Sequence, residues 1–197
     1  MNARRRHTVI GLFLALLCSV LPAGAQERTP TDGTNLPNPP DGYVWRPLDY
    51  VLGHLPIPRE WHWKVEQTAQ SMNYFASKEN IDVEGRFKTG MSIWVIRLEK
   101  GGDPADFGRR WVGELLKHGT FIDTSSNTTP PFRSFACRIR DTVTTDHVPV
   151  IIQNTAIANT QTRTLYLIVF ESPEPEWNDA WTIGRAMMAG LILHPQK

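Results

Sequence analysis

Cysteine is almost absent from this chain, with Cys18 and Cys137 the only two in 197 residues. No disulfide framework can be built from them, so the fold must hold by packing. An excess of one charge is missing too: 21 basic and 20 acidic residues leave a formal net charge of +1, which removes the electrostatic footprint that nucleic acid requires. There is no G-x-S-x-G, H-E-x-x-H, C-x-x-C, phosphate-cradling glycine loop or EF-hand spacing, so the chemistries those motifs serve find no support. Long apolar runs are lacking as well. The longest, Val9 to Leu21, falls short of the roughly 18–20 residues that a membrane-spanning helix needs.

That short run has a different use. Arg4-Arg5-Arg6 precede it and Ala23-Gly24-Ala25 follow it, the three parts of a secretory signal peptide over residues 1–25. Leu17 stands where a lipoprotein peptidase takes a small residue, so Cys18 is not expected to be lipidated and no stable membrane anchor is expected after cleavage. Removal of residues 1–25 takes three arginines and no acid, moving the net charge from +1 to −2 and leaving Cys137 alone. Residues 26–42, rich in proline and polar residues without apolar period, read as a flexible leader. Residues 43–197 then make one domain, periplasmic or secreted, and seven tryptophans within 41% hydrophobic residues suffice for its core.

The chain is organised around Val148 to Phe170, two β-rich runs joined by Asn159-Thr160-Gln161-Thr162, a spacer of hairpin length. Leu165, Leu167 and Val169 point one way and Tyr166, Ile168 and Phe170 the other. A strand apolar on both faces needs cover on both sides. Alternation predicts strands at Trp61–Val65 and Phe135–Ile139, and Met91–Leu98 reads as a second interior strand. Leu48–Gly53 is expected to form a helical turn, Leu55–Trp61 a strand edge or turn because of its prolines, and Ser125–Pro131 a polar loop.

Two helices are expected. The first is capped by Asp103, starts at Pro104, carries Phe107, Trp111, Val112, Leu115 and Leu116 as its apolar stripe, and leaves through a left-handed Gly119. The second begins at Ser172-Pro173-Glu174, with Trp177, Trp181, Gly184, Met188 and Leu191 on one face. The fold class is α+β: a largely antiparallel sheet of about six strands sandwiched by helices, in the order βββαβββα.

The Pro58-x-x-Trp61 entry to the first hairpin, the Trp94 strand feeding a capped helix, and the closing Leu165-Tyr166-Leu167 hairpin followed by Ser172-Pro173 and a last helix resemble the PsbP-like α/β/α sandwich superfamily. The resemblance covers residues 43–193. That superfamily holds photosystem lumen subunits, a Ran-binding nuclear factor, and bacterial DcrB-type and Eag-type proteins. It implies a non-catalytic binding or assembly role with varied partners, and none of its known functional residues carries over to a position in this chain.

Candidate binding residues come from the residues themselves. Trp61 and Trp63 make an exposed interface anchor if their face lies at an edge. Trp177 and Trp181 suit the wall of a groove for a protein, peptide or apolar ligand, although a tryptophan stripe at helical spacing is more often core. Arg138 and Arg140, with Arg133, offer an anionic partner a basic strand face, although such arginines are commonly balanced by nearby acids. Cys137, on the Phe135/Ile139 face, reads as a packed thiol. The expectation is therefore an exported binding or assembly protein of the bacterial envelope, with no catalytic residue, metal or cofactor. The alternative is a small periplasmic hydrolase using a histidine and a carboxylate that the fold brings together. Separately, a pair such as His62 and His147 could converge as a metal site would need, although His62 reads more simply as a surface imidazole.

Overall fold

The computed structural model describes residues 36–51, 53–98, 101–144 and 147–195. The expected signal peptide and most of the expected leader lie outside these residues. Strands β1 (Tyr43–Leu48), β2 (Gly53–Pro58), β3 (His62–Gln67) and β4 (Ser71–Ser77) come first, followed by the single helical turn α1 (Ile81–Glu84). Then come β5 (Gly90–Arg97), α2 (Pro104–Leu115), β6 (Thr120–Thr129), β7 (Phe132–Asp141), β8 (Val150–Asn159) and β9 (Thr164–Pro173). A 3-10 turn at Glu174–Glu176 leads into α3 (Trp177–Gly190), and β10 (Ile192–Leu193) ends the fold.

Seven strands form the main sheet in the order β3-β4-β5-β9-β8-β7-β6, and a smaller sheet runs β1-β2-β10, every pair antiparallel. The expected βββαβββα order survives as β3-β4-β5-α2-β7-β8-β9-α3. Strand β6 and the small sheet are the additions.

Strand β9 lies at the middle, and its residues 164–170 are all buried, as two-sided apolarity predicts. On one face, here the front, Tyr166, Ile168 and Phe170 pack with Tyr74, Met91 and Ile93 under α3 and the small sheet. On the back face Leu165, Leu167 and Val169 pack with Ala156, Cys137 and Ile139 under α2. Each fully buried large apolar side chain in these layers contributes on the order of 2 kcal/mol relative to exposure.

Helix α2 forms as its ends dictate. The Asp103 side chain accepts the Ala105 N–H at 2.8 Å and Pro104 occupies the first turn. Ala105, Gly108, Trp111 and Val112 are the buried stripe, with Phe107, Leu115 and Leu116 packed at its borders. Gly119 is not the left-handed exit that was expected, because it does not have a positive φ. It is small for another reason: a Cβ there would lie 3.1 Å from the Arg140 carbonyl oxygen and 3.2 Å from Ile139.

Three local readings change. Residues 49–51 form a turn between β1 and β2, not a helical one. Leu55–Pro58 belongs to β2, the central strand of the small sheet. The Arg59 N–H donates to Gly42 O, which sets the odd-numbered N–H groups of β2 toward β1. Pro56 and Pro58 face the other way, beyond the two residues of β10, so their missing donors cost no ladder bond. The polar stretch Ser125–Thr129 is not a loop but the second half of β6. It shows no apolar period because every residue of β6 is exposed, so neither face asked for an apolar side chain.

Candidate functional site

The two faces of the main sheet are covered unequally. Helix α2 lies across β7, β8 and β9 on the back, whereas α3 packs on β9 and β2 at the front. The front of β6 and β7 is consequently left open, whereas on β8 the front-facing Ile151, Gln153 and Thr155 are buried. None of the front-facing residues of β7 (Phe132, Ser134, Ala136, Arg138, Arg140) is buried, and Asp123, Ser125 and Asn127 beyond them on β6 are exposed.

A built ledge borders this open stretch. Trp177, buried in the front core at 9% exposure, and the partly exposed Trp181, one helical turn apart on α3, stack with ring centroids 5.3 Å apart and planes within 9°. Phe170 of β9 meets both rings, at 5.9 and 5.5 Å. The Arg138 guanidinium reaches from β7 to lie 5.3 Å from the Trp177 ring centroid and 5.0 Å from that of Trp181. Two of its nitrogens are also engaged: Nε donates to Gln153 Oε1 at 3.1 Å and a terminal nitrogen pairs with Asp123 at 3.2 Å. Arginine suits this place because its flat cation stacks on indole while its edge donates in plane.

Arg140, two residues along, is spent on positioning. It forms a two-pronged bond with Glu174 at 2.8 and 2.7 Å, tying β7 to the turn that starts α3 and so fixing where Trp177 emerges. Those hydrogen bonds hold the Glu174 carboxyl below its ordinary range and the Arg140 guanidinium above its own.

The sequence-derived residues thus divide. Trp177, Trp181, Arg138 and Arg140 come together. Trp61 and Trp63 do not join them. Trp61 is only 6% exposed within the front core, and Trp63 is stacked on Tyr74 at 5.7 Å on β3, at the other end of the sheet. Trp61 precedes the strand and turns inward, so it cannot be half of an exposed anchor. Arg138 and Arg140 face the front as expected, but acids engage both. Asp123 and Gln153 were missed; only the register of β6 and β8 against β7 places them beside Arg138.

Cys137 and the His62–His147 pair do not form a site together. Cys137 is buried on the back face and its thiol is pushed up to about 11 by burial, partly offset by a hydrogen bond with the Asn154 side chain. His62 lies on β3 and His147 in the loop before β8, strands four positions apart, about 19 Å at the usual interstrand spacing. Among the described residues no three of His, Cys, Asp and Glu gather as a metal site. A shallow concavity of about 510 Å³ lies at the start of α2, lined in part by Asp103, Arg133 and Arg163. Two of its charges serve the fold: Asp103 caps the helix, and Arg163 donates to Leu98 O and Gly102 O.

No model of a known protein family matches the sequence, and no curated protein matches it either. Solved structures do. LpqN of Mycobacterium tuberculosis, described as involved in cell envelope biogenesis, superposes with a TM-score of 0.53 at 14% identity, over 78% of this chain and 91% of that one. The cyanobacterial PsbP of Synechocystis superposes with a TM-score of 0.50 at 9% identity, over 87% of this chain and 100% of that one. The likeness is one of fold, and the fold is the PsbP-like α/β/α sandwich.

Proposed function

We propose that this chain is an exported, non-catalytic binding or assembly protein of the bacterial envelope, and that its partner docks on the open front of β6 and β7 against the Trp177–Trp181–Arg138 ledge. The observation that carries this reading is the ledge itself: the partly exposed Trp181 indole, backed by the buried Trp177 and held by one guanidinium, beside an uncovered stretch of sheet. Tryptophan and arginine are the residues that most often dominate binding energy at protein interfaces. The neighbouring rows of Ser, Asn and Thr offer hydrogen bonds without net charge. A protein or peptide segment with an apolar side chain for the indoles and a polar backbone for those rows fits this chemistry. The envelope assignment draws on the N-terminal signal pattern and on the biogenesis role given for LpqN. No helix among the described residues is long and apolar enough to cross a membrane.

The test is co-purification from detergent-solubilised envelope using tagged wild type, Arg138→Ala and, as a control at the other edge of the sheet, Lys64→Ala. Arg138→Ala should retain its fold and lose the partner by about tenfold or more, the effect of removing a hot-spot arginine, while Lys64→Ala retains it. Equal recovery by wild type and Arg138→Ala would overturn the assignment.

A further inference from the structure

The two edges of the main sheet are built differently. Strand β3 has six residues and carries His62, Lys64 and Glu66, with Lys64 paired to Glu66 at 3.0 Å and to Asp82 at 2.8 Å. Shortness and charge are the usual means by which an edge strand is kept from pairing with another chain. Strand β6 has ten residues, all exposed, with no lysine, arginine, glutamate or proline and with Asp123 as its one charge. A register shift between Phe121 and Asp123 interrupts its start, and from Asp123 to Thr129 the ladder runs without a break. This is an edge left unprotected.

We propose that β6 is the dimerisation edge of the protein, pairing antiparallel with β6 of a second copy so that the two seven-stranded sheets become continuous. The hairpin sets the register. Thr129 and Phe132 flank a two-residue turn and face each other, so Thr124, Ser126 and Thr128 direct their N–H and C=O groups outward. An antiparallel two-fold pairing matches outward residues with outward residues. Centred on Ser126, it sets Ser126 against itself and Thr124 against Thr128 of the second copy.

That register favours a second copy as the occupant. Asp123 meets Thr129 of the second copy and not its own twin, so the one charge is never set against a like charge. Hydroxyl residues oppose hydroxyl residues, a pairing that stabilises antiparallel ladders. Phe121 and Ile122, 53% and 43% exposed at the start of β6, come toward Pro130 and Pro131 at the turn end of the second copy. An edge that reads unrelated peptides adds pockets for alternate side chains, and β6 is exposed along its whole length on both faces.

The experiment is the solution mass of the purified chain by light scattering over a wide concentration range, for wild type, Ser126→Lys and Thr128→Lys. Wild type is expected at twice the chain mass, and a lysine on the edge should give the single mass with an unchanged circular dichroism spectrum. Either variant suffices if the other does not fold. As an independent readout, Ser126→Cys should cross-link under oxidation, since a residue opposite its twin in a bonded pair lies within disulfide reach, while Gln67→Cys on β3 should not. A wild type of single mass at every concentration, including one that pairs only with a foreign peptide, overturns the proposal. So does a double mass that survives both lysines. The Arg138→Ala protein should still be a dimer, so this proposal and the ledge assignment can fail separately.

Discussion

At the scale of single residues, the front core ties stability to alkaline pH. The Tyr74 and Tyr166 phenols are pushed up to about 12 from 10.0, chiefly because burial disfavours the charged form. The Tyr50 N–H, which donates to the Tyr74 hydroxyl oxygen at 3.2 Å, and the charge of Arg97 near Tyr166 oppose that rise without cancelling it. Both groups bind their proton more tightly folded than unfolded. Their contribution is therefore full below pH 10 and falls as the pH climbs from there toward the folded values. Thermal melts across this range should show a steeper loss in wild type than in Tyr166→Phe, which has no proton there to lose. Identical slopes would remove Tyr166 from the account. The residue scale is also where the sequence was least legible. Trp61 and Trp63 belong to one alternating run, yet one is buried and the other stacks on Tyr74 across the strand pair, a difference set by where β3 begins.

At the scale of elements, glycine separates intrinsic helix preference from packing. Gly184 of α3 and Gly113 of α2 are both helical, and alanine is intrinsically better than glycine by about 1 kcal/mol in a helix interior. A Cβ at Gly184 would lie 2.7 Å from the Phe170 ring, which is itself fixed between the sheet and the two indoles. A Cβ at Gly113 would meet nothing within 4 Å. Urea titration should show Gly184→Ala destabilised by about 1–3 kcal/mol and Gly113→Ala stabilised by up to about 1 kcal/mol. Equal gains at both would mean that α3 does not press on Phe170 as described. Elements with a buried face were legible beforehand: β9, β5, α2 and α3 all carry the apolar period of what covers them. Strand β6 was not, because an edge exposed on both sides leaves no period to read, and β2 was hidden by prolines that point away from its partner strand.

At the scale of the whole molecule, the proposed function rests on unequal cover. The central strands are roofed on both sides, while β7 is roofed on the back alone and β6 on neither face, and the front there is bordered by the indole–guanidinium ledge. The sandwich was readable because two-sided apolarity on β9 demands two layers. The open front was not, since it depends on α3 lying over β9 and β2 and not over β7, a matter of tertiary placement. Four of the six candidate binding residues met there because β7 and α3 each carried a correct local period, and the Arg140–Glu174 pair brings the start of α3 against β7. Photo-crosslinking in living cells tests the central claim most directly, with a photoreactive residue at Ser134 on the open front and, in a second strain, at Gln67 on the same face at the opposite edge. The account predicts a discrete adduct with an envelope partner from Ser134, lost in Arg138→Ala, and none from Gln67. An adduct from Gln67 alone, or a Ser134 adduct indifferent to Arg138, would contradict it.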